Sequence, residues 1–249
     1  MPRYKLTLEY DGTGLVGWQR QTSGPSVQQA LEEALVKLAG CPVTVAAAGR
    51  TDAGVHATGQ VAHVDIDKPL SVEAVRNGLN YWLRGEDGVT PVIVLAAEEA
   101  AADFHARFSA TGRRYLYRIL NRRAAPVLER HRVWWVPKPL DAEAMQAGAN
   151  HLLGHHDFTS FRAAECQARS PMKTLDVLEV RRDGAEIRIV AAARSFLHHQ
   201  VRNMVGTLKL VGEGKVPPEH VKMVLQARDR SVAGATAPAS GLYLTGVSY

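Results

Sequence analysis

The sequence predicts an α+β fold built from two similar split-βαβ subdomains, and three observations carry that expectation. Short segments alternate polar and apolar residues as half-buried strands do, and stripes of helical period lie between them. Capping and turn residues punctuate the segments where each period changes. One element order, β-α-β-β-α-β, covers the first hundred residues, and a similar order returns in the remainder without obvious sequence identity.

Arg3 to Tyr10 (RYKLTLEY) opens the chain as a strand. Gly24-Pro25-Ser26 breaks it, and Ser26 caps a helix whose stripe is Val27, Leu31, Ala34, Leu35 and Leu38, ending at Gly40. Pro42 to Ala48 and Gly59 to Asp67 follow as strands, Ser71 to Trp82 as a helix and Val89 to Ala96 as a strand. In the second half Arg113 to Asn121 is a strand, and Asp141 caps a helix to Leu153. Leu175 to Arg182 and Ala185 to Arg194 form a hairpin across Asp183-Gly184, a strong turn signal. Phe196 to Gly212 and Pro218 to Ala227 read as helices, and Leu242 to Ser248 closes the chain as a strand. Both halves are expected to be ferredoxin-like or RRM-like. Their sheets would join into one extended, mixed but mainly antiparallel sheet with a central cleft. The junction is expected near Ala100 to His105, dividing residues 1–104 from 105–249.

The chain has 249 residues, 46% hydrophobic and 22% charged, enough apolar material for a sizeable core. No apolar run is long enough to span a membrane, and the N-terminus reads directly as a strand rather than a signal peptide. A soluble, cytoplasmic protein is the expectation. Cys41 and Cys166 lack metal-binding spacing, and a reducing compartment disfavours their pairing, so neither a metal nor a disulfide is expected. The net charge of +5 and pI near 9.3 point to an anionic partner. Arg107, Arg113, Arg114, Arg118, Arg122, Arg123, Arg130 and Arg132 crowd one stretch, opposed within it only by Glu129. Guanidinium forks suit phosphates and stack on bases, which favours RNA over a merely solvated face.

Gly12-Thr13-Gly14-Leu15-Val16-Gly17 is literally GxGxxG after a strand. A dinucleotide site needs that loop to enter a helix at once, whereas Gly24-Pro25 delays the helix here. The segment is therefore a loop. Gly49-Arg50-Thr51-Asp52-Ala53-Gly54-Val55-His56-Ala57 joins two apolar strands and is presented at a sheet end. An Asx-turn alone would explain Asp52 and Gly54. Arg50 beside the carboxylate, after an uncharged strand, argues for chemistry.

GRTDAGVHA resembles the catalytic motif of the bacterial tRNA pseudouridine synthases acting on the anticodon stem-loop, the TruA family. Tyr10-Asp11-Gly12-Thr13, Gly17-Trp18-Gln19, Phe104 to Ala110, Arg113 to Tyr117, Asp157 to Phe161, Phe196 to Gly206 and Gly241 to Leu244 resemble family segments in the same order. The resemblance implies cofactor-free isomerisation of uridine to pseudouridine at tRNA positions 38 to 40, on a flipped-out nucleotide. It implies Asp52 as nucleophile, Arg202 as its partner, Tyr115 stacked on the base and Leu244, or Leu242, as an apolar wall. Arg50 would fill the vacated space or hold a flanking phosphate, and Arg107, Arg113 and Arg114 would hold the RNA backbone. Asp11 and His198 would brace loops or touch substrate. A homodimer with tRNA crossing both subunits is implied as well. Two rivals stay open: a non-catalytic RNA-binding protein, and a cofactor-free hydrolase using Asp52 with a histidine such as His56.

Overall fold

A computed structural model describes residues 1–85, 88 and 90–249. The chain is α+β, with ten strands and five α-helices among the described residues. It separates into two units, Met1–Thr111 with Tyr243–Tyr249, and Gly112–Leu242.

In the first unit β1 (Arg3–Tyr10), α1 (Val27–Ala39), β2 (Ala46–Ala47), β3 (His56–Asp65), α2 (Val72–Trp82) and β4 (Val92–Ala100) follow one another. Strand β1 lies antiparallel to both β3 and β4, and β2 pairs antiparallel with β3. The order β4-β1-β3-β2 is the split-βαβ arrangement. Tyr4, Leu6, Leu8 and Tyr10 alternate into the core, where Val27, Leu31 and Leu35 of α1 and Val75 and Leu79 of α2 are also buried. Ser26 accepts the Gln29 N–H and Gly40, at φ 80°, ends α1, as the cap residues predict. Strand β10 (Leu242–Ser248) returns to this unit, pairing Tyr243 and Leu244 parallel with His56 and Ala57.

The second unit runs β5 (Gly112–Leu120), β6 (Trp134–Trp135), α3 (Ala142–Asn150), β7 (Gly154–Asp157), β8 (Met172–Asp183), β9 (Glu186–Ala193), α4 (Gln200–Gly212) and α5 (His220–Ala227). Its order β5-β9-β8 repeats β1-β3-β2 of the first unit, and β7 continues the sheet beyond β8. Asp183 pairs with Glu186, so the hairpin loop is Gly184-Ala185, one residue beyond the expected turn. Gly184, at φ 57°, occupies the first loop position.

Several element bounds differ from expectation, among them the following three. Pro42 to Val45 does not pair, and the contact with β3 starts only at Ala46; Pro42 has no N–H to offer a ladder. Helix α4 begins at Gln200 rather than Phe196, because His199 sits left-handed at φ 61°. Strand β4 begins at Val92, and Val89, where that strand was expected to start, lies outside the described residues.

Candidate active site

The loop carrying Asp52 leaves β2 at Ala47 and enters β3 at His56. A buried polar chain holds it from beneath. The Tyr10 hydroxyl meets Thr51 Oγ1 at 2.8 Å, and Gln60 Nε2 donates to the Gly49 carbonyl at 2.8 Å and to the Tyr10 oxygen at 3.3 Å. Tyr10, Thr51 and Gln60 are all buried. Burial pushes the Tyr10 phenol up to about 12, outweighing the opposing hydrogen bonds from Thr51 and Gln60, so it stays protonated and able to donate. Gly54, at φ 77°, turns the chain, and the Asp52 carbonyl accepts the Val55 N–H at 3.1 Å. Asp52 itself is half-buried and Arg50 is exposed.

The GxGxxG segment is the second support. Trp18 N–H donates to the Thr51 carbonyl at 3.0 Å and Gly54 N–H to the Leu15 carbonyl at 3.3 Å. A Cβ on Gly12 would lie 2.2 Å from the Val55 oxygen, and one on Gly17 would lie 2.5 Å from the Thr51 oxygen. Only glycine lets the two backbones approach this closely. Gly14 has nothing within 4 Å of such an atom. The sequence excluded a cofactor role for this motif but did not reveal its function, because its partners lie some forty residues away. Gly12 N–H also donates to Nδ1 of buried His56 at 3.0 Å, and Asp11 Oδ1 lies 3.1 Å from the same nitrogen. His56 stacks on Tyr243 at 4.7 Å, while Leu244 is fully buried and Leu242 nearly so. Asp11 Oδ1 also accepts the Thr13 N–H at 2.9 Å within this loop. Arg107 is exposed, its guanidinium 5.7 Å from the Phe108 ring.

Removing the Tyr10 hydroxyl tests this support. Tyr10→Phe is expected to cost about 1 kcal/mol of stability and to lower kcat roughly tenfold with tRNA affinity unchanged. Titration calorimetry with single-turnover rates checks this, and an unchanged kcat would contradict it.

In the second unit Tyr115 on β5 is half-buried, with the Phe196 ring edge-on at 5.1 Å. Its strand partner is Ala191. Two residues on, Tyr117 is buried and donates to the Pro238 carbonyl at 2.7 Å. Burial pushes that phenol far up, and the Arg202 guanidinium only partly opposes the shift. Arg202, in the first turn of α4, donates from Nε to the Ala237 carbonyl at 2.8 Å. The same helix turn is pinned through Asn203, whose Oδ1 accepts from Arg230 at 3.1 Å and from Thr236 at 2.7 Å. A Cβ on Gly206 would fall 1.8 Å from the Ala235 oxygen. These two residues, given no role of their own in the sequence, seat α4 on the segment from Gly234 to Pro238 and so position Arg202. His198 N–H donates to the Cys166 sulfur at 3.4 Å, and its ring lies 4.0 Å from that of His199. Cys41 and Cys166 are both free.

The arginine-rich stretch does not act as one surface. Arg118 forms a fork with Glu186, at 2.8 Å and 3.0 Å, and also reaches Glu129 at 2.6 Å. Glu186 is remote in sequence, so only the β5–β9 pairing brings it there. Arg113 donates to the Arg194 carbonyl at 2.6 Å, and Arg114 is exposed.

The model of the tRNA pseudouridine synthase family matches residues 7–109 and 149–249, stretches that include Asp52 and Arg202 but not Tyr115. Curated relatives named tRNA pseudouridine synthase A align over the whole chain. That of Paramagnetospirillum magneticum is 67% identical over 100% of this chain and 96% of its own. That of Rhodospirillum centenum is 61% identical over 100% of both, and that of a Methylobacterium species 58% identical over 100% of this chain and 98% of its own. With a family model covering most of its length and relatives of this identity from end to end, the chain belongs to the tRNA pseudouridine synthase family.

Proposed function

We propose that this enzyme isomerises uridine to pseudouridine in the anticodon stem-loop of tRNA, at positions 38 to 40, with Asp52 as nucleophile. The observation that carries the proposal is a half-exposed carboxylate on a loop braced by buried hydrogen bonds and two glycine contacts, in a chain of this family. A carboxylate held without freedom to rearrange is suited to meet a reacting atom at one position.

The reaction balances within one nucleotide. The bond from the ribose to the base nitrogen N1 breaks, the uracil turns, a bond forms to its C5, C5 gives up its proton, and the freed N1 takes up a proton. Nothing is oxidised and no group is lost, so the chemistry calls for no redox cofactor. The target must leave its stack first, which costs a few kcal/mol and is cheapest near a loop. In this scheme Tyr115 stacks on the flipped base, Arg202 partners the Asp52 carboxylate and Leu244 backs the base with apolar surface. Arg50, Arg107, Arg113, Arg114 and His198 contact RNA, through charge and shape rather than base identity. The enzyme would work in the cytoplasm as a homodimer, which sedimentation at equilibrium would test.

Arg202→Lys keeps the charge but not the fork, so kcat should fall about 10²-fold with tRNA affinity within a few fold. A wild-type rate in that variant would remove Arg202 from the scheme. The overall activity is tested by nuclease mapping of an unmodified tRNA transcript after incubation, with mass spectrometry before and after carbodiimide derivatisation, whose stable adduct marks pseudouridine. The expected product is an anticodon-stem fragment of unchanged mass containing pseudouridine. Release of uracil would make the protein a hydrolase, and intact uridine with retained binding would make it a binder only.

A further inference from the structure

At the opposite end of the Tyr115 strand the second unit bears an open surface cavity of about 610 Å³, whose lining residues other than Asn121 are exposed. Ligand sites commonly fall between roughly 300 and 1,000 Å³. Four cationic side chains line it, those of Arg122, Arg123, Lys138 and Arg182, and neither a carboxylate nor an aromatic ring is among the lining groups. Seven Cα steps, five of them along β5, lead from Tyr115 to Arg122, which puts the cavity roughly 20 Å from the tyrosine.

The walls are fastened in advance. Asn121 Nδ2 donates to the carbonyls of Val136 at 2.9 Å and Lys138 at 2.6 Å. Its Oδ1 accepts from Leu140 N–H at 3.1 Å and from Arg182 at 2.9 Å. Arg182 also donates to the Leu140 carbonyl at 2.6 Å. Pro137 and Pro139 flank Lys138 and line the cavity with it. Each fixes its own φ near −65°, and Pro139 holds Lys138 extended. Among the described residues Arg123 and Lys138 form no ion pair with a carboxylate. The cluster keeps its mutual repulsion until an anion relieves it.

We propose that this cavity binds phosphodiester groups of the tRNA remote from the uridine that reacts. The inference rests on tRNA being the substrate. With four cations and no aromatic ring the cavity favours the backbone over a stacked base and contributes affinity without sequence preference. A polynucleotide matches four charges spread over a cavity this wide better than one small anion does.

The test compares an Arg123→Ala/Lys138→Ala double variant with a control of equal charge change at exposed positions elsewhere, Lys68→Ala/Lys222→Ala. Binding of unmodified tRNA transcript is followed across salt concentrations. Each lost phosphate contact lowers the slope of log affinity against log salt by about 0.7 to 0.9. The cavity variant should lose about 1.5 from the slope and bind tRNA at least roughly tenfold more weakly at low salt, with kcat at saturating tRNA unchanged. The control pair should keep the native slope. An unchanged slope in the cavity variant, or an equal loss in the control, overturns the inference. In a second arm inorganic tripolyphosphate is titrated; binding lost in the variant while the tRNA slope stays native would make the cavity a small-anion site and likewise overturn it. If the native protein forms no pseudouridine but the slope still falls, the cavity assignment stands and only the catalytic reading fails.

Discussion

Asp52→Asn is expected to lower pseudouridine formation by about 10⁴-fold or more while tRNA affinity stays within a few fold. The amide matches the carboxylate in shape but cannot attack carbon or take a proton. The loop should survive the change, because its supports are main-chain and neighbouring groups: Thr51 held by Tyr10 and Trp18, Gly49 held by Gln60, and Gly54 held by Leu15. Single-turnover rates beside filter-binding affinities check the split. A variant that keeps a tenth of the native rate would take the nucleophile's role from Asp52.

The second large effect comes from a residue that need not touch substrate. Gly17→Ala places a methyl group 2.5 Å from the Thr51 oxygen at a position where φ is 102°. Backbone cannot yield as a flexible side-chain end does, so the loop must move, and a displacement near 1 Å costs about 10²-fold in rate. A stability loss of about 1–3 kcal/mol should accompany it. Gly14→Ala is the control. It too has positive φ, 77°, but open space around the added atom, so it bears strain without displacing the loop. Comparable rate losses in the two variants would mean that strain alone, rather than the contact with Thr51, accounts for the effect.

Much of the fold was legible because local signals and burial agree. Strand β1 alternates cleanly, and Ser26 with Gly40 brackets α1 by side-chain and left-handed caps. Strand β10 was readable to the residue. Legibility ended where tertiary contacts decide. Residues 42–45 look like strand but pairing with β3 starts only at Ala46, and Phe196 to His199 continues a helical pattern that a left-handed His199 interrupts. Strands β6 and β7 are too short for any period to show.

The site divides in the same way. Asp52 stood out through Arg50 two residues before it and the uncharged strand leading in. Arg202, Tyr115 and Leu244 came only from the resemblance, because an arginine on a helix and an aromatic on a strand have commonplace explanations. The supports were not legible at all. Tyr10, Gln60, Gly12 and Gly17 reach the Asp52 loop only once β1 and β3 pair, and Glu186 engages Arg118 only once β5 and β9 do.

The central claim, that Asp52 carries out isomerisation of an anticodon-stem uridine, is tested most directly by carbodiimide mapping of unmodified tRNA. The transcript is incubated with the native protein or with Asp52→Ala and then read by reverse transcription. Stops at anticodon-stem uridines with the native protein alone are the predicted result. Stops of equal strength with Asp52→Ala, or stops confined to another arm of the tRNA, would contradict it.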